Sequence, residues 1–171
     1  STITQCVISG LGSTWYEWQI TTGVLNTTGN ITFSAYIVDS RGRASDTKTC
    51  TINVQPYSPP YISGFSIARC LSTGTESDSG TYIKVWNKCG YSSLSGKNTV
   101  AVNVFYKQSN TAYWSSAVAS GNNGTVIIGG GGISTSESYD VKVTVSDKFK
   151  SVTRSGTIKP KFVTLDFKAG G

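Results

Sequence analysis

The sequence predicts an all-β chain arranged as two tandem β-sandwiches. Three observations carry that prediction. Apolar residues recur at every second position, turn-forming residues interrupt them at short intervals, and no stretch has helical periodicity. The composition agrees. Only 14% of residues are charged, yet the chain holds four Trp, nine Tyr and six Phe, whereas disordered chains are charged and poor in aromatics. Its polar share is mostly Ser, Thr, Asn and Gly, which serve strands and the turns between them.

In the first half, residues 2–9 alternate, with Ile3, Cys6 and Ile8 apolar, and the turn Gly10-Leu11-Gly12-Ser13 follows. Residues 15–21 read as a second strand and residues 24–29 as a loop. Residues 31–39 are the clearest strand here, because Ile31, Phe33, Ala35 and Ile37 share one face. Asp39-Ser40-Arg41-Gly42 is a hairpin turn, and residues 44–54 are the return strand. Residues 55–60 then hold three of the four prolines. Proline cannot donate to a ladder and fixes φ, so pairing stops and a stiff linker is expected over residues 57–60.

The pattern restarts after the linker. Strands are expected over residues 61–69, 81–86, 98–106, 112–118, 125–128, 139–145 and 152–158. Residues 72–80 form a polar loop and Gly129-Gly130-Gly131-Gly132 a turn. In the sixth of these strands Tyr139, Val141, Val143 and Val145 face one way, and Asp140, Lys142 and Thr144 the other. Seven strands in about 100 residues is the signature of an immunoglobulin-like or fibronectin type III-like sandwich. In that setting Tyr139 is the corner tyrosine that bonds upstream backbone. The domain reading is therefore 1–56 (a first unit of about four strands, incomplete or minimal), 57–60 (linker), 61–162 (a complete second sandwich) and 163–171 (a C-terminal extension). An internal repeat supports it. The run Ala35-Tyr36-Ile37-Val38-Asp39-Ser40, with a return strand to Ile52 and then Pro56, echoes Val143-Thr144-Val145-Ser146-Asp147-Lys148, with a return strand to Ile158 and then Pro160.

The residue inventory argues against catalysis. There is no His, hence no Ser-His-Asp triad, no Cys-His pair and no His-ligated metal. The nine acids lie mostly in turns or at outward strand positions. Glu76 and Asp78 are close in sequence but offer too few ligands for calcium and read as a solvated loop. No cofactor is expected. Cys6, Cys50, Cys70 and Cys89 show no CxxC spacing and are too few for a disulfide scaffold. Free thiols, or one bridge per unit, are both open, with free thiols favoured. The four-glycine run is not followed by Lys-Ser/Thr or a helix, so it is no phosphate loop. Sequons at Asn26, Asn30 and Asn123 arise by chance in so Thr-rich a chain. Met is absent and Ser1 opens the sequence without a leader pattern, which reads as an excerpt or a processed product. No apolar run is long enough to span a membrane.

Fifteen Lys and Arg against nine Asp and Glu leave a net charge of +6, with basic residues concentrated from Lys142 to Lys168. A solvated sheet face is the plain reading, and attraction to an anionic surface the other. No helix, RNA-binding motif or Arg cluster supports nucleic acid. Trp15 and Trp18 read as core or interface residues. Tyr113 and Trp114 are the candidate exposed aromatics. Together with Lys148 and Lys150 they form the candidate binding patch, suited to stacking on sugar rings and attracting anionic wall polymers.

Several turn and strand-edge runs carry a resemblance: Val38-Asp39-Ser40-Arg41-Gly42-Arg43, Tyr57-Ser58-Pro59-Pro60, Arg69-Cys70, Gly74-Thr75, Gly80-Thr81-Tyr82, Lys97-Asn98-Thr99 and Leu165-Asp166-Phe167-Lys168-Ala169-Gly170-Gly171. In these the chain resembles a family of minor structural proteins of long-tailed phages of Gram-positive bacteria. The resemblance implies a module of a longer tail, baseplate or fibre polypeptide, extracellular in the virion, that spaces or displays a host-binding part. It implies no catalytic residues. The partners expected are other tail proteins or copies of itself in the assembly, with host cell-wall polysaccharide as a further one from the aromatic and basic patch, and neither nucleic acid nor membrane. The rival readings are a carbohydrate-binding or adhesin module of a bacterial surface protein and, third, an accessory domain of a wall-degrading enzyme.

Overall fold

A computed structural model describes residues 1–161. Among them there is no helix, and eleven strands form three antiparallel sheets. The chain divides into two compact units, Ser1–Tyr57 and the remainder from Ser58 on. The C-terminal extension expected over residues 163–171 lies outside the described residues.

The first unit is one sheet of four strands: β1 (Ile3–Gly10), β2 (Ser13–Trp15), β3 (Gly29–Asp39) and β4 (Lys48–Val54), in the order β2-β1-β3-β4. Leu11 and Gly12 both have positive φ, 53° and 74°. That makes the tight two-residue turn whose twist matches a hairpin. The pairing Cys6↔Ile37, Ile8↔Ala35, Ile31↔Ile52 and Phe33↔Cys50 gathers one apolar face. The opposite face carries the pairs Thr32↔Thr51 and Asn30↔Asn53. Only Val7 and Ile31 of this unit are buried hydrophobics.

Two expected strands are shorter here than the pattern suggested. Of residues 15–21 only Trp15 is in a ladder, and Trp18 is 64% exposed, not a core residue. The return strand begins at Lys48 rather than residue 44. Ser45 explains the delay: its N–H donates to the Ile37 carbonyl while its hydroxyl accepts the Ile37 N–H, at 2.9 and 3.1 Å. A side chain thus replaces the backbone in the ladder.

Among its described residues the second unit has seven strands: β5 (Tyr61–Cys70), β6 (Tyr82–Gly90), β7 (Ala101–Gln108), β8 (Val118–Ser120), β9 (Asn123–Ile128), β10 (Tyr139–Ser146) and β11 (Ser151–Ile158). They form two sheets, β5-β6-β9 and β11-β10-β7-β8, which share one core. Val141, Val143 and Val145 of β10 and Val104 of β7 meet Ile83 and Val85 of β6, all at or near zero exposure. Burying each such side chain is worth roughly 1.5–3 kcal/mol, and the period-2 pattern of β10 supplies three of them from a single strand. The strand expected over residues 112–118 is reduced to β8. Most of that segment is tied instead by Ser115, whose N–H donates to the Tyr106 carbonyl at 2.8 Å and whose hydroxyl accepts the Tyr106 N–H at 3.1 Å.

Buried polar groups pin the ends of this unit. Tyr139 begins β10 and its hydroxyl accepts the Ser134 N–H at 3.0 Å, as expected of a corner tyrosine. Arg69, 6% exposed, donates to the Glu137 and Lys159 carbonyls at 2.6 and 3.2 Å and lies over the Tyr139 ring. All four cysteines are free. In the second unit Cys70 pairs with Tyr82 and Cys89 with Ile62, at opposite ends of the β5–β6 ladder, far beyond disulfide reach. Burial pushes both of these thiols up from their ordinary pKa.

Candidate functional site

The outer face of the β11-β10-β7-β8 sheet is built by the positions that alternate with the buried valines. β10 contributes Asp140 and Lys142, β7 contributes Phe105 and Lys107, and β11 contributes Ser155 and Thr157. The register places Lys142 opposite Phe105 and Asp140 opposite Lys107 and Thr157. Trp114 reaches this face from the segment between β7 and β8. That segment is anchored by Ser115 as above and by Thr111, whose N–H and hydroxyl both donate to the Gln108 carbonyl at 2.9 and 2.8 Å.

There the indole is bracketed by cations. The Lys142 ammonium lies 4.1 Å from the Trp114 ring centre and 5.0 Å from that of Phe105, and Lys107 lies 5.6 Å from the Trp114 ring. Lys107 also donates to the Thr111 carbonyl at 2.7 Å and pairs with Asp140 at 3.4 Å. One Asp140 oxygen accepts the Thr157 and Ser109 hydroxyls at 2.8 and 3.0 Å. The Thr157 hydroxyl foremost, then Ser109 and Lys107, hold this carboxyl below the ordinary carboxylate range. A groove of about 320 Å³ lies beside the ring, lined by Trp114, Asp140, Ser155, Gly156 and Thr157. It offers an aromatic plane, a fixed carboxylate and hydroxyls: the means to stack on a ring and bond hydroxyl groups.

The four residues singled out in the sequence are not gathered in one place. Tyr113 is 89% exposed and stands beside Trp114 in irregular backbone rather than in a strand. Lys148 and Lys150 sit in the β10–β11 turn, where the Lys148 ammonium donates to the Lys97 carbonyl at 2.6 Å. Ser146, the last residue of β10, is already roughly 13 Å from Lys142 at strand rise, and both turn lysines lie beyond it. The lysines on Trp114 are Lys107 and Lys142. Their outward placement was readable from alternation, but the cross-strand register that brings them to one ring was not.

Elsewhere, Glu76 pairs with Lys84 at 3.1 Å. Among the described residues no group of three or more Cys, Asp or Glu is placed to hold a metal, and no helix is long and apolar enough to cross a membrane.

The fold and this face define an all-β protein with a polar, cation-aromatic groove on the outside of a sheet. The family described as "Siphovirus protein of unknown function (DUF859)" matches residues 7–171, and the chain belongs to that family. It is thus a phage protein. No curated protein matches it.

Proposed function

We propose that the chain is a non-catalytic structural and interaction module of the siphovirus virion, carried in the tail, baseplate or tail fibre, where it spaces or displays a host-binding part. The observation that carries this reading is the strand order of the second unit. Naming β5 to β11 as A, B, C, C′, E, F and G turns its two sheets into A-B-E and G-F-C-C′, the arrangement of immunoglobulin-like and fibronectin type III-like sandwiches. The Tyr139 hydroxyl bond at the start of strand F supports the same assignment. Such modules serve as spacers and contact surfaces, their interiors being filled by side chains. The division at Tyr57 supports two tandem domains joined near the prolines.

The chain's partners in this reading are other tail proteins or further copies of itself, and the Trp114 groove favours host cell-wall polysaccharide of a Gram-positive host as an additional contact. Immunogold labelling of purified virions with antibody to this chain tests the placement. Label on the tail or its tip is expected, and virions free of label would overturn the reading. Hydrolysis of purified cell wall by the chain alone, lost on changing one carboxylate, would overturn the non-catalytic part.

A further inference from the structure

The four strands of the first unit repeat half of the second. In the second unit β7 forms a hairpin with β8 and pairs with β10, which pairs with β11. In the first, β1 forms a hairpin with β2 and pairs with β3, which pairs with β4, and every pairing is again antiparallel. The match extends to residues. Aligning the turn aspartates Asp39 and Asp147 sets Ile31, Phe33, Ala35 and Ile37 against Tyr139, Val141, Val143 and Val145. The register then sets Ile52 against Ile158 and Cys50 against Gly156. The β10 residues are covered by β5-β6-β9 and buried. Their counterparts have no covering sheet: Ile31 is still buried, but Phe33, Ala35 and Ile37 are only half-buried, and on the neighbouring strand Ile52 is 39% exposed where Ile158 is 7%.

A second observation points the same way. The segment between β2 and β3 holds the chain position that β9 holds in the second unit, and Trp18, Ile20, Thr22 and Val24 alternate along it like a strand. It makes no ladder, and Val24 is 91% exposed. Among the described residues the only ladder partner of β9 is β6, and the first unit has no counterpart of β6. Ile20 and Thr22 already line a groove of about 340 Å³ on the apolar face with Ile8, Phe33, Cys50 and Ile52.

We propose that this face is the inner face of a half-sandwich, closed by an amphipathic antiparallel β-hairpin that stands ahead of β1 in the natural polypeptide as β5 and β6 stand ahead of β7. Its first strand runs along β4, and its second pairs with residues 18–24 and converts them into a strand. Its strands match β5 and β6, which have 10 and 9 residues, and alternate apolar residues toward Phe33 and Ile37. The proposal rests on strand order and burial, not on the placement in the virion, so the two can fail separately.

Cys50 is the reporter. A Cβ added at its counterpart Gly156 would lie 2.9 Å from Ile67 and 3.4 Å from Phe65, both on β5, so the closing strand must cover Cys50. In the 171-residue chain Cys50 is exposed, whereas Cys70 is buried and serves as internal control. N-ethylmaleimide labelling is followed in this chain and in the natural polypeptide with its own upstream residues. Labelling of Cys50 in the natural polypeptide at least roughly tenfold slower, with new amide-exchange protection over residues 18–24, is expected. Equal labelling, or a natural polypeptide that begins at Ser1, overturns the proposal. Protection of the 171-residue chain that grows with its own concentration also overturns it, in favour of a second copy. Protection only in the assembled virion overturns it in favour of another polypeptide.

Discussion

Asp39 and Asp147 hold matching stations in the two units: Asp39 closes β3, Asp147 directly follows β10, and each turns one carboxylate oxygen onto two backbone N–H groups of the following hairpin. Asp39 accepts from Arg41 and Arg43 at 2.9 and 3.0 Å, and Asp147 from Phe149 and Lys150, both at 2.8 Å. The second Asp147 oxygen accepts the Asn98 amide at 3.0 Å. A short acidic side chain at the strand end thus supplies acceptors that the turning backbone lacks.

Asp147→Ala is expected to destabilise the second unit by about 2 kcal/mol, because hydrogen bonds to a charged acceptor are worth more than neutral ones and the freed N–H groups gain water in partial exchange. Asp39→Ala is expected to raise amide exchange in β3 and β4 alone. Urea denaturation of the first variant and hydrogen exchange of the second check this. An unchanged midpoint for Asp147→Ala would mean that the turn holds without its cap.

Tyr139→Phe removes the acceptor of the Ser134 N–H while keeping the ring under Arg69. A loss of about 1–2 kcal/mol is expected from the buried donor left without a partner. A denaturation midpoint equal to the parent's would show that water reaches Ser134.

Strands whose two faces differ were legible in the sequence. Residues 139–145 alternate without a break, residues 31–39 set Ile31, Phe33, Ala35 and Ile37 on one face, and the two runs form β10 and β3 almost to the residue. The errors fall where the ladder depends on something remote. Residues 112–118 look strand-like, but Ser115 ties them to Tyr106 through its side chain. Residues 15–21 have strand composition, but beyond Trp15 they have no neighbouring strand to pair with. The candidate patch is divided in the same way, with Lys148 and Lys150 in the β10–β11 turn and Trp114 on the outer sheet face. Trp114 was visible as an aromatic with no evident core role, and Lys148 and Lys150 as the nearest dense charge in the turn. Only the register Lys142↔Phe105 and Asp140↔Lys107 selects the lysines that reach the ring.

Asp140 makes stability depend on acid. Its carboxyl is held below the ordinary range by Thr157, Ser109 and Lys107. A group depressed in the folded state contributes stability above its unfolded pKa of about 3.9 and loses it as pH falls through the lower folded value. Asp140→Asn is therefore expected to be less stable than the parent at about pH 6, with the gap narrowing toward about pH 3 as the parent's carboxylate is protonated. Melting curves across that range check it, and a gap constant with pH would show that Asp140 acts through shape alone.

Trp114 decides whether the outer sheet face is a binding surface. Its ring has one exposed aromatic neighbour in Tyr113 and cations at 4.1 and 5.6 Å, so a sugar ring has a plane to stack on and an anionic polymer has charge to meet. Trp114→Ala is expected to weaken binding of the chain to purified cell wall by roughly tenfold, the size of one well-placed aromatic or cation–π contact. Lys142→Gln is expected to flatten the salt dependence. Between 0.1 M and 1 M salt the screening length shortens from about 10 Å to about 3 Å, which weakens an exposed charge contact and leaves stacking in place. Lys148→Gln and Lys150→Gln, in the distant turn, are expected to bind like the parent. Pull-down of each variant with cell wall at both salt concentrations, with melting temperature as the folding control, separates the cases. Binding that ignores both salt and Trp114→Ala would remove the groove as the site. Loss with Lys148→Gln or Lys150→Gln alone would move the site to the hairpin turn.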